Sequence, residues 1–205
     1  MPKQKPNEQA EYRCFPVELR AADGENGRTV TGYAALFDSE TDMGWYTEVI
    51  DRSAFEGTDL SDVRALFNHD PNQILARSMS GTLTLEVDER GLRYSFEMPD
   101  TTLGNDLLTM IRRGDISQSS FAFSIDQQEW HEREGEKEKR VLKRFAKIYD
   151  VAPVTYPAYS DTTVAARSRD QFNEDRPAPK HNQDLIEGLA FLYATRGRLS
   201  ARKIQ

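Results

Sequence analysis

The chain has 205 residues, 38% hydrophobic and 30% charged, which allows one modest core under a wet surface. A net charge of −7 argues against a general nucleic-acid binder, whose footprint is a basic face. Cys14 is the single cysteine, so an internal disulfide and a cysteine-rich metal site are both excluded.

Residues 1–9 are polar and proline-bearing and read as a loose N-terminus without the apolar stretch of a secretory signal. No later run approaches membrane-spanning length, so the chain reads as soluble and intracellular, with no membrane partner. Tyr12 to Leu19 alternates enough for a strand, with Cys14 as a small buried side chain. The pairs Asp23-Gly24 and Asn26-Gly27 mark turns, and Arg28 to Phe37 returns as a second strand. Together these predict a long β-hairpin. Trp45 to Ile50 predicts a short strand. Asp51 to Phe55 predicts a helical turn capped by Asp51 or Ser53.

Val63 to Phe67 is a compact apolar strand that runs into Asn68-His69-Asp70-Pro71, where the proline stops it. His69 therefore sits at a strand end, a common place for a working residue. Thr82 to Val87 and Leu92 to Met98 predict a second hairpin about the turn 88–91. Thr101 to Arg113 predicts a helix, capped by Thr101 or Thr102 and ended by Gly114. Leu103, Leu107, Met110 and Ile111 fall on one face of it.

The next stretch, Gly114 to Ile125, is the centre of the chain. Alternation puts Ser120, Ala122 and Ser124 on one face of a strand and Phe121, Phe123 and Ile125 on the other. One face buries rings while the other presents hydroxyls. The plain alternative is a half-buried strand whose serines face water. Glu132 to Lys139 is nearly all charged and reads as an exposed hairpin tip. Arg140 to Tyr149 returns as a strand, and Val151 to Tyr156 is a separate short extended piece. These elements predict one folded domain over 10–167, a polar linker over 168–183 and an amphipathic helix over 184–205. The stretch from Ser168 onward carries seven Lys/Arg against five Asp/Glu, so the body holds all of the excess negative charge. A tethered apolar helix of this kind suits docking.

Three chemistries fit residues of this kind. His69-Asp70 is a plausible ligand pair, but no His-x-x-His or Glu-x-x-His accompanies it, and a catalytic metal needs three or more convergent ligands. The scattered glycines form neither a Walker loop nor a Gly-x-Gly-x-x-Gly. The third is a serine nucleophile with a base and an orienting acid. Ser120 can attack, His69 can take its proton, and Asp150, a lone carboxylate before an apolar stretch, can hold the imidazole. There is no Gly-x-Ser-x-Gly elbow. Ser117 and Ser119 remain rivals for the nucleophile, though both face opposite to Ser120 in a regular strand. His131, in the charged tip, and His181, in the linker, read as solvent-exposed.

In order and spacing, Gly32 to Phe37, Ile50 to Phe55, Leu66 to Asp70, Gly91-Leu92, Gly114 to Phe123 and Asp150 to Ala158 resemble the tailed-phage prohead (procapsid) maturation proteases. These are serine peptidases related to the herpesvirus assembly proteases, the assemblins. The resemblance covers about Phe15 to Ala166. It implies a mainly β fold with peripheral helices (α+β): a small, mostly antiparallel β-barrel of the herpesvirus-protease type, with Ser120 and His69 on neighbouring strands. It also implies His69, Ser120 and Asp150 as catalytic residues and no cofactor. The implied substrate is the scaffolding segment of the major capsid protein precursor, cut inside the procapsid in the host cytoplasm, with self-cleavage often accompanying. A homo-oligomer is left open, since the herpesvirus relatives gain activity on dimerising. Asp150 stands where the family usually has glutamate, Ala122 replaces a glycine, and Ala152-Pro153 replaces a serine-containing pair. Arg77 is a further candidate, as an electrostatic helper or as a plain surface arginine. The competing class is an inactive scaffolding or capsid-assembly protein that keeps the fold.

Overall fold

The computed structural model of the chain describes residues 10–15, 19–21 and 27–156. The expected loose N-terminus over 1–9, the linker over 168–183 and the terminal helix over 184–205 lie outside the described residues. Among the described residues, eleven strands and one α-helix are formed. They are β1 (Glu11–Phe15), β2 (Arg20–Ala21), β3 (Thr29–Leu36), β4 (Thr41–Asp42), β5 (Tyr46–Ile50), β6 (Arg64–Leu66), β7 (Ile74–Arg77), β8 (Leu83–Val87), β9 (Gly91–Glu97), α1 (Thr102–Arg113), β10 (Gln118–His131) and β11 (Glu138–Val154).

One sheet runs β1-β10-β11-β5-β4, with β6 beside the far stretch of β11 and β7 outside β6. The other runs β2-β3-β9-β8. The fold is mainly β with a helix, as expected, but the sheets do not close into a barrel. Strand β3 approaches β1 and β10 without pairing to either. Closure needs a continuous, consistently staggered ladder, and none joins the two sheets among the described residues.

The spine of the larger sheet is β11. Its first stretch, Glu138 to Leu142, lies parallel to β5, and Asp150 and Val151 lie parallel to Arg64 and Ala65 of β6. The expected break between Tyr149 and Val151 does not occur, because β10 pairs along the whole of β11 and absorbs the mismatch in four register shifts. Pro153 is tolerated near the end, where β6 no longer pairs and no N–H is needed on that side.

The expected first hairpin is also replaced. Strand β1 pairs with β10, and only the two residues of β2 pair with β3. The reason is electrostatic. Arg13 reaches both oxygens of Glu48 at 2.5 and 2.9 Å and Glu11 at 2.7 Å. Arg140 reaches Glu11 at 2.8 and 2.9 Å, Glu48 at 2.9 Å and Gln128 at 2.7 Å. All four charged side chains are buried, two of each sign. Glu11 and Arg13 would be buried unpaired elsewhere, so they draw β1 to the sheet that carries Glu48 and Arg140.

Helix α1 forms as predicted. The Thr101 hydroxyl accepts from Gly104 N at 3.1 Å, and Gly114 ends the helix in the left-handed conformation at φ 82°. The β8–β9 hairpin also forms, with Asp88 accepting from the backbone of Arg90 and Gly91 across its turn. Asp51 to Phe55 makes only turns, with Asp51 capping Ser53 at 3.0 Å. Side chains from both sheets and α1 share one core, in which Phe121 stacks on Phe123 at 4.7 Å and Phe145 meets both rings edge-on at 4.8 to 5.7 Å. Burying each ring contributes roughly 1.5–3 kcal/mol. This holds the middle of β10 rigid.

Candidate active site

Register places the site. Ser120 of β10 lies opposite Cys14 of β1 and Ala152 of β11, and Ala122 lies opposite Asp150. Paired residues share a face, and residues two apart on a strand share it too. Ser120 and Asp150 therefore project from the same face of adjacent strands. His69 comes from the turn after β6, whose Arg64 sits beside Asp150, so β11 lies between and Ser120 and His69 are not on neighbouring strands as expected.

The imidazole bridges the two. His69 Nδ1 is 2.6 Å from Asp150 Oδ1, and His69 Nε2 is 2.7 Å from Ser120 Oγ. An ionised carboxylate only accepts, so Nδ1 carries the proton and donates it; in the neutral ring Nε2 is then the acceptor facing Ser120. Asp150, one methylene shorter than glutamate, spans the gap. The backbone oxygen of Arg13, at 2.8 Å, is a second acceptor for the single hydrogen of the Ser120 hydroxyl. The ring of Tyr12 meets the imidazole edge-on at 4.8 Å. Ser120 is wholly buried, and the His69 side chain is 14% exposed. The pair is thus largely shielded from water, which strengthens its hydrogen bonds.

The three serines separate. Ser117 is exposed and precedes β10. Ser119 turns to the opposite face, where its hydroxyl pairs with that of Tyr94 at 2.8 Å. Burial raises the Tyr94 phenol well above its usual range, although the Ser119 bond works the other way. Ser120 alone meets the imidazole. The alternative of a strand whose serines face water does not hold: Ser119 through Ile125 are all buried. Arg77 is engaged elsewhere, with Asp62 at 2.6 and 2.8 Å. His131 is exposed and lies 3.3 Å from Glu129, and His181 falls outside the described residues.

Sequence reasoning overlooked the Arg13 carbonyl and the Tyr12 ring. One signal was present: Glu11 and Arg13, two residues apart on an otherwise alternating strand, have to find buried partners.

A serine on a rigid strand, an imidazole and a carboxylate in this order are the parts of an acyl-transfer site. Compared with known families, residues 15–175 match the one described as Caudovirus prohead serine protease. The chain belongs to the caudovirus prohead serine protease family. No curated protein and no solved structure matches it. The family match spans β3 through β11 and α1, so Ser120, His69 and Asp150 all lie within it. Membership carries a prohead protease role, with capsid proteins as partners and the procapsid interior as the place of action. Among the described residues no helix is long and apolar enough to cross a membrane.

Proposed function

We propose that this prohead protease family member is a serine endopeptidase that removes the scaffolding segment of the major capsid protein precursor, with Ser120, His69 and Asp150 as its catalytic residues. The unbroken hydrogen-bonded chain from Asp150 through His69 to Ser120 supports this reading most directly. Ser120 Oγ attacks the peptide carbonyl carbon while His69 Nε2 takes its proton. Asp150 stabilises the imidazolium, and backbone N–H groups receive the oxyanion. The imidazolium then protonates the departing amine. Water, deprotonated by the same ring, hydrolyses the acyl-enzyme and restores Ser120. The chain after about Arg167 serves as a docking element for scaffold or capsid protein, or is itself trimmed in cis.

Treatment with a fluorophosphonate probe, followed by mass mapping, tests the nucleophile. The expected adduct is on Ser120, absent from Ser120→Ala. Incubating wild type and Ser120→Ala with the capsid precursor should give defined product masses from wild type only. No adduct and no products would instead favour an assembly protein without activity. Intact mass after co-expression with the precursor tests trimming of the tail.

A further inference from the structure

We infer that Asn68 is a positioning residue: its side-chain amide clamps the His69 turn to the end of β11 and so sets the base against both its acid and the nucleophile. The inference rests on the catalytic reading of Ser120, His69 and Asp150. Asn68 and His69 are consecutive non-glycine residues with positive φ, 53° and 59°. One such residue is uncommon, and two in a row persist only where the surroundings hold them. Asparagine tolerates this conformation better than most residues.

Three hydrogen bonds from Asn68 supply the hold. Its backbone N donates to Pro153 O at 3.0 Å, its Oδ1 accepts from Thr155 N at 2.9 Å, and its Nδ2 donates to Thr155 Oγ1 at 3.2 Å. The turn beyond is braced separately. Asp70 N donates to Phe67 O at 3.0 Å, and the Asp70 carboxylate accepts from Asn72 N at 2.8 Å and Gln73 Nε2 at 2.9 Å. Pro153 and Thr155 lie three and five residues past Asp150, with Pro153 still in β11. One strand end thus carries the acid and the anchor of the base. Asn68 itself is exposed, so its side chain contributes little to the core.

Three variants of the full chain separate this role from a structural one. Asn68→Gly keeps the positive φ but loses both side-chain bonds. Asn68→Asp keeps an acceptor for Thr155 N, and the Thr155 hydroxyl can donate to its second oxygen. Ser120→Ala is the control without a nucleophile. The expected result is that Asn68→Gly slows the maximal rate of fluorophosphonate inactivation roughly ten- to a hundredfold, with the probe's half-saturating concentration and the melting temperature near wild type. Asn68→Asp should recover most of that rate. The downfield proton resonance of the His69 Nδ1–H, read by NMR, should broaden or vanish in Asn68→Gly and persist in Asn68→Asp.

An Asn68→Gly rate within about twofold of wild type overturns the clamp, as does an undiminished resonance. A loss that tracks a lowered melting temperature and is not recovered by Asn68→Asp also overturns it. If wild type and Ser120→Ala both fail to take the probe, the catalytic reading fails by itself. The resonance then still decides whether Asn68 holds the imidazole on Asp150.

Discussion

Ser120 donates its hydroxyl hydrogen to the backbone oxygen of Arg13 at 2.8 Å, although the same Oγ lies 2.7 Å from His69 Nε2. A hydroxyl has one hydrogen and here meets two acceptors. The Arg13 carbonyl holds the oxygen in place, and the imidazole is positioned to take the proton. The Arg13 side chain, tied to Glu11 and Glu48, keeps that carbonyl from drifting. On the proposed mechanism, Ser120→Ala should lower cleavage of the capsid precursor by about a millionfold. Its melting temperature should stay within a few degrees of wild type. Product formation against time, alongside a thermal scan, checks both.

Asp150 is 7% exposed and already 2.6 Å from the imidazole. An added methylene has no slack to occupy. Asp150→Glu should therefore displace the ring and lower turnover by roughly ten- to a hundredfold. Asp150→Asn, which disturbs the tautomer and removes the charge facing the imidazolium, should cost about 10⁴-fold. Initial rates on one peptide spanning the cleavage site rank the two.

The ion cluster on β1, β5 and β11 should dominate stability. Arg140 is fully buried against both Glu11 and Glu48. Arg140→Met leaves a buried carboxylate without full compensation and should destabilise by roughly 3–5 kcal/mol. Urea unfolding measures it. An exposed pair such as Arg93–Glu86, at 3.3 Å, should change stability by less than about 1 kcal/mol when broken.

Acid should strike the same cluster. Burial alone pushes the Glu11 carboxyl up, but the charges and hydrogen bonds of Arg140 and Arg13 outweigh it and bring it from an ordinary 4.5 down to about 2. A carboxyl depressed by folding stabilises the folded state above its unfolded pKa, and that stability is lost as pH falls through the folded value. The contribution should be complete above about pH 4.5 and decline toward pH 2. In Glu11→Gln this part of the acid slope should be missing from stability measured across that window.

Much of the site was legible in the chain because its parts are short and local. The apolar run of β6 ends shortly before His69, alternation around Ser120 puts its hydroxyl opposite to those of Ser117 and Ser119, and Asp150 stands before an apolar run. Helix α1 and the β8–β9 hairpin were legible for the same reason, since a cap, a glycine and a two-residue period are written over a few neighbouring positions. Several expectations failed, most of them on a long-range pairing. Strand β1 joined β10 in place of β3. The last two extended pieces fused into β11. The barrel stayed open. Alternation is identical in an open sheet and a closed one, and a strand's partner is chosen by side chains far away in sequence, here Glu48 and Arg140 for Arg13 and Glu11.

By itself, then, the order of residues determined where most of the strands lie, where the helix starts and stops, and which side chains are equipped for acyl transfer, because those properties follow from periodicity and side-chain chemistry. Only the tertiary structure decided that Asp150 reaches His69, that Arg13 shares the Ser120 proton and that Asn68 grips Thr155. Those are separations of about 3 Å between residues 81 to 107 positions apart, and they are set by how strands register against one another.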